Sequence, residues 1–105
     1  LVMRGGENIG CGEVEAALLE HPLVQEASVY AVPDERLGEE VGTTLYVSSD
    51  ITEDELSGFL QARLAKFKVP RYVYQQQAPL PRTASGKILK RDLREEACQR
   101  LGLAQ

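Results

Sequence analysis

Pro81-Arg82-Thr83-Ala84-Ser85-Gly86-Lys87 runs straight into the periodic segment Ile88-Leu89-Lys90-Arg91-Asp92-Leu93-Arg94, which puts a lysine where the sequence predicts a helix to begin. A helix N-terminus carries partial positive charge and unpaired N–H groups, and a cation there is unfavourable by roughly 0.3–1 kcal/mol. An anionic visitor would account for Lys87, because backbone N–H groups and an ammonium together hold a phosphate or carboxylate oxygen. A solvated surface lysine is the alternative. The segment is not a nucleotide-binding loop of the Walker type: Pro81 stands where the first glycine belongs, and Ile88 stands where a Ser or Thr would hold magnesium.

Any such anion binding has to be local. The chain of 105 residues has a formal charge of −4 and a pI near 5.0, which argues against nucleic acid or an anionic membrane as the main partner. Yet Lys66, Lys68, Arg71, Arg82, Lys87, Lys90, Arg91, Arg94 and Arg100 all lie in about the last forty residues, while acids dominate residues 7–55. Cys11 and Cys98 stand far from each other and from His21, the only histidine, so no zinc spacing exists and no metal ligand set is expected. The sparse cysteines, with no signal peptide and no apolar run near 20 residues, read as a soluble cytoplasmic protein with reduced thiols. Leu1-Val2-Met3-Arg4 begins inside what reads as a strand, the expectation being a piece of a longer polypeptide in which residues 1–105 form one domain.

Elements that must position these residues follow from periodicity. Val2–Arg4 and Asn8–Gly10 flank Gly5-Gly6, a dipeptide suited to a two-residue turn with positive φ, and predict a short hairpin. Gly12 to Glu20 is amphipathic, opens with acids that suit a helix N-terminus, and stops at His21-Pro22. Val24–Val32 and Glu40–Ser48 predict two antiparallel strands joined across Asp34–Glu39. Thr52 with Glu55 forms a capping box and Ile51 with Leu56 a hydrophobic staple, ahead of a helix with Leu56, Phe59, Leu60 and Leu64 on one face. Arg71–Gln77 supplies another strand, and Leu89, Leu93, Ala97 and Leu101 mark a last helix. The expected class is α+β: a small antiparallel sheet with packed helices, preceded by a two-stranded hairpin.

In this order the motifs become familiar. Arg4-Gly5-Gly6-Glu7-Asn8-Ile9 with Glu13-Val14-Glu15, His21-Pro22-Leu23-Val24, Val32-Pro33-Asp34 with Gly38-Glu39, Phe67-Lys68-Val69-Pro70-Arg71 and Leu80 to Lys87 span nearly the whole chain. Together they resemble the C-terminal domain of the adenylate-forming superfamily: acyl-CoA synthetases, nonribosomal-peptide adenylation domains and luciferases. The first block looks most like the fatty- or medium-chain acyl-CoA synthetase branch.

The resemblance implies a two-step reaction in which ATP, with Mg2+, activates a carboxylic acid as its acyl-adenylate and CoA thiol then takes the acyl group. It implies a large N-terminal domain as partner, Lys87 as the adenylation lysine, and a hairpin of Gly5, Gly6, Glu7 and Asn8 that faces CoA after the small domain rotates. Arg36, Lys68 and Arg71 become candidates for the CoA phosphates, with ordinary surface charge as the alternative. Other readings are an enzyme that loads a carrier-protein thiol instead of CoA, and a stand-alone binding or regulatory module. The chain departs from the pattern at Gly10, where relatives usually have an aromatic, and at Gln75-Gln76-Gln77.

Overall fold

The computed structural model describes residues 1–103. Strands β1 (Val2–Arg4) and β2 (Glu7–Ile9) precede helix α1 (Cys11–Leu19). Next come β3 (Val24–Asp34), β4 (Gly38–Val47), helix α2 (Glu53–Gln61), a 3-10 turn at Lys66–Lys68, β5 (Tyr72–Gln76) and helix α3 (Lys90–Arg100). The expected class is the one found. The sheet runs β2-β1-β4-β3 with antiparallel neighbours, and the hairpin is part of it through the pair Arg4↔Gly38. Beyond that pair, the same edge of β4 takes β5 in parallel, from Gly42↔Tyr72 to Tyr46↔Gln76. Parallel pairing needs a long crossover, and α2 provides it.

The β3–β4 ribbon carries a core on each face. Ala27, Val29, Val41, Leu45 and Val47 lie with Val14 and Leu18 of α1 and Leu56 and Leu60 of α2. Tyr30 and Val32 lie with Leu93 and Ala97 of α3 and with Leu80. Period-2 alternation is therefore present, but both of its faces are covered, and even Gly42 and Thr44 are buried. Gly42 is needed for this second core. A Cβ there would sit 2.8 Å from Val32 Cγ2 and 2.9 Å from Tyr30 Cε1.

One bulge sets which residue faces which core. The register passes from Val24↔Val47 to Glu26↔Tyr46, leaving Gln25 unpaired. Val24 thus shares the α1/α2 face with the odd-numbered residues that follow, while Glu26 is turned to the α3 face.

Side chains close what the ladder leaves open. At the free edge of β3, Val29 N–H donates to Glu15 Oε2 (2.8 Å) and Arg94 Nε donates to Ala31 O (2.7 Å), which blunts that edge for pairing with another chain. Gln75 pairs its amide with Ile51, accepting from its N–H (2.9 Å) and donating to its C=O (2.8 Å). The α2 cap forms as expected in one direction, with Glu55 N–H donating to Thr52 Oγ1 at 3.2 Å, and Ile51 and Leu56 are both buried. The Glu55 carboxylate, however, meets His21 Nε2 at 3.0 Å, while Leu23 N–H donates to His21 Nδ1 at 3.1 Å. Accepting at Nδ1 puts the imidazole proton on Nε2, aimed at Glu55. His21 is thus a buried tether as well as the mark of a helix end.

The acids of α1 do not cap it: Gly10 is the N-cap and no side chain bonds there. Glu13 instead pairs with Lys68, and Glu15 with Lys90 and β3. Both cysteines are free, Cys98 buried and Cys11 half-buried.

Candidate functional site

Lys87 stands on a turn, not on a helix. Helix α3 starts at Lys90, with Leu89 as its N-cap. The preceding residues are claimed by a small β-like loop: Arg82 bridges Ile88, and Leu89 N–H donates to Pro81 O at 2.8 Å. At its tip Gly86 N–H donates to Thr83 O (2.9 Å), Thr83 N–H to Lys87 O (2.7 Å), and Lys87 N–H to Thr83 Oγ1 (3.1 Å). Gly86 closes the turn at φ +91, where a side chain is strained. Contrary to the expectation from periodicity, Lys87 is therefore not part of a helix N-terminus. Its own N–H is already satisfied, and what it offers a ligand is the ammonium alone. Among the described residues no hydrogen bond or ion pair holds that ammonium, and the side chain is exposed.

A carboxylate that the sequence reading passed over holds this turn. Leu80 N–H donates to Glu26 Oε1 (2.8 Å), Arg82 Nε to Glu26 Oε2 (3.0 Å), and Arg82 Nη2 makes a further close contact with Oε2. Arg82 Nη1 then donates to Gly86 O at 2.6 Å, next to Lys87. The Glu26 side chain is 16% exposed. Burial pushes its carboxyl up, but the Arg82 guanidinium and the Leu80 N–H outweigh it and hold the group below 4.5.

The hairpin forms as expected, with Arg4↔Glu7 closing a two-residue turn in which Gly5 and Gly6 have φ +53 and +87. Val2 and Ile9 are fully buried beneath it, while Gly5, Gly6, Glu7 and Asn8 face solvent. Three bonds fasten it to the β4 end of the sheet. Gly5 N–H donates to Leu37 O (2.8 Å), Met3 N–H to Glu39 Oε1 (2.8 Å), and Arg4 Nε to Glu40 Oε1 (2.6 Å). Glu40 is only 2% exposed; it also accepts from Val41 N–H at 3.2 Å and lies 4.0 Å from Arg71 Nη1. Nothing local marks Glu40, which follows Glu39 and precedes Val41-Gly42-Thr43-Thr44; Glu26 became legible only with the bulge.

Arg36 and Arg71 come together. Both line a shallow concavity of about 460 Å3 with Asp34, Tyr72 and Leu103. Asp34 shapes its rim, accepting from Leu37 N–H (2.8 Å) and Arg36 N–H (2.9 Å). The Leu37 N–H outweighs the opposing effect of desolvation and, with the Arg36 N–H and the Arg71 and Arg36 charges, holds the Asp34 carboxyl below 3.8. Lys68 is elsewhere: its ammonium meets both Glu13 oxygens at 2.9 and 3.1 Å, tying the 3-10 turn to α1. Among the described residues no group of three or more His, Cys, Asp or Glu is placed to hold a metal ion.

The two glycine-bearing loops sit at opposite ends of one ribbon. Glu26, which holds the Lys87 turn, pairs with Tyr46, and Glu40, which holds the hairpin, pairs with Val32. Val32 lies six residue steps along β3 from Glu26, about 20 Å at ~3.3 Å per residue. This is an α+β domain that presents a lysine turn and a glycine hairpin outward from the two ends of a double-faced sheet.

The family of AMP-binding enzyme C-terminal domains matches residues 13–87, ending on Lys87 itself. The chain belongs to that family. It is 43% identical to the mouse mitochondrial medium-chain acyl-CoA ligase ACSF2, over 98% of this chain and 17% of that protein. It is 41% identical to the 2-succinylbenzoate–CoA ligase of Bacillus cereus, over 90% of this chain and 20% of that one. Among solved structures, the Mycobacterium tuberculosis fatty acyl CoA synthetase superposes with a TM-score of 0.84 at 33% identity, covering 93% of this chain and 20% of that chain. The chain thus spans about a fifth of the length of these relatives. Among the described residues no helix is long and apolar enough to cross a membrane.

Proposed function

We propose that this chain is the small C-terminal domain of an ATP-dependent acyl-CoA ligase, working against a large N-terminal domain. The observation that carries the reading is that the two loops are anchored about 20 Å apart, at opposite ends of one ribbon. A single reaction centre can receive such loops only in turn. The domain therefore reorients between the two half-reactions.

In the first, a substrate carboxylate oxygen attacks the α-phosphorus of ATP, and the acyl-adenylate forms as pyrophosphate leaves. Two anions must approach each other, and the free Lys87 ammonium supplies a compensating charge on a flexible stem. Magnesium would enter with the ATP phosphates; among the described residues no group of three or more His, Cys, Asp or Glu is placed to hold it. In the second, the CoA thiol attacks the acyl carbonyl and AMP leaves. Gly5 and Gly6 let the hairpin backbone lie close to the pantetheine arm, with Glu7 and Asn8 beside it, since the tip is exposed and carries no Cβ. Arg36 and Arg71 suit the CoA phosphates, being basic, exposed at least in part, and neighbours in one concavity. Lys68 could join them only by leaving Glu13. The two free thiols suit a reducing compartment such as the cytoplasm.

The test uses the full-length parent enzyme and its Lys87→Ala variant. Carboxylate-dependent pyrophosphate exchange should fall by about 10²–10³-fold, as when one electrostatic transition-state donor is removed, while thioester formation from preformed acyl-adenylate and CoA is retained. Unchanged exchange would refute the role of Lys87. Transfer to a carrier-protein thiol in place of CoA would refute the choice of acceptor.

A further inference from the structure

Glu26 and Glu40 lie on the same face of the β3–β4 ribbon, at opposite ends, with Tyr30, Val32 and α3 filling the space between them. Each is largely or wholly withdrawn from water and each spends its charge on an arginine of the segment it anchors: Glu26 on Arg82 of the Lys87 loop, Glu40 on Arg4 of the hairpin strand β1. Removing a carboxylate from water is justified energetically only by such charge-assisted bonds. The bonds are also the charged tethers of those segments, beside the backbone bonds that fasten them. Arg82 reaches Gly86 O beside Lys87, and the hairpin has just one residue pair with β4.

We propose that the two carboxylates are positioning residues of opposite half-reactions, Glu26 setting the Lys87 turn for acyl-adenylate formation and Glu40 setting the glycine hairpin for thioester formation. The inference rests on the function proposed above and adds to it a division of labour among residues that touch no substrate. Sites about 20 Å apart act independently, since coupling fades beyond roughly 7–10 Å. A fault at one end of the ribbon should therefore spare the loop at the other.

The experiment introduces Glu26→Gln and Glu40→Gln separately into the full-length enzyme and measures both half-reactions for each. Glutamine keeps an acceptor oxygen while the charge is lost. Loop misplacement of about 1 Å can cost up to about a hundredfold in rate. Glu26→Gln should slow pyrophosphate exchange by about ten- to hundredfold and leave the thioester step within about twofold. Glu40→Gln should do the reverse and raise the KM for CoA. Arg82→Met and Arg4→Met, at the less buried ends of the same pairs, should reproduce the two patterns and serve if a glutamine variant does not fold. Equal losses in both half-reactions, or none in either, overturn the proposal while leaving the enzyme reading intact. A wild-type parent that performs neither half-reaction overturns both.

Discussion

Tyr30 provides a stability test that depends on the second core alone. Its ring is 1% exposed and its hydroxyl meets Thr44 Oγ1 at 2.8 Å. Burial pushes the phenol up to about 12 from 10.0, against the opposing pull of the Thr44 hydrogen bond. A folded value above the unfolded one means that the folded state holds its proton more tightly. The contribution is therefore complete below pH 10 and is lost as pH rises from 10 towards 12. The gap between 10.0 and about 12 is worth about 3 kcal/mol at ~1.4 kcal/mol per pH unit. Tyr30→Phe removes that dependence and, at neutral pH, leaves Thr44 without its partner at a cost of about 1 kcal/mol.

The two stability curves should therefore cross. At pH 8 the wild-type chain should be the more stable by about 1 kcal/mol, and near pH 12, where the folded phenol is half ionised, the phenylalanine variant by about 1 kcal/mol. Urea unfolding followed by circular dichroism at pH 8, 10, 11 and 12 measures the difference directly, since lysines and other groups titrate alike in both chains. Parallel curves with a constant offset would refute the reasoning, because they would mean that the Tyr30 phenol ionises as readily in the fold as in the open chain.

Glycines on the two sides of the fold should respond oppositely. Gly42→Ala, with its Cβ 2.8 Å from Val32 Cγ2, should destabilise by about 1–3 kcal/mol. Gly58→Ala, in α2 with nothing within 4 Å of its Cβ, should stabilise by up to about 1 kcal/mol. Thermal melts of both variants check the signs, and a stable Gly42→Ala would mean that the α3 face is loosely packed. Asp34 has a folded value below its ordinary 3.8, so its contribution is present above pH 3.8 and fades as pH falls through the folded value. Asp34→Asn, which keeps an acceptor for the Leu37 N–H, should flatten the acid limb of the stability profile; an unchanged limb below pH 4 would count against the turn as the cause.

Element order was legible in the sequence because it depends on local chemistry: Gly5-Gly6 for a turn with positive φ, Thr52 for a cap, and apolar periods of 2 and 3.6 for strands and helices. The motifs around Gly5-Gly6 and Lys87 were legible for the same reason, being contiguous. Local chemistry misplaced Lys87 itself. Ile88 and Leu89 suit a helix, yet their backbones are claimed by Arg82 and Pro81 across the loop, and such competition is invisible to periodicity. Tertiary structure alone decided that β5 runs parallel to β4, that both faces of the ribbon are buried, and that the extra residue Gln25 turns Glu26 towards the Lys87 turn. It also decided that Glu40 is buried against Arg4, a residue 36 positions away. The physical reason is one of range: turns, caps and periods are set by neighbours within a few residues, whereas sheet pairing and the partner of a buried charge are chosen only when distant segments compete for the same surface.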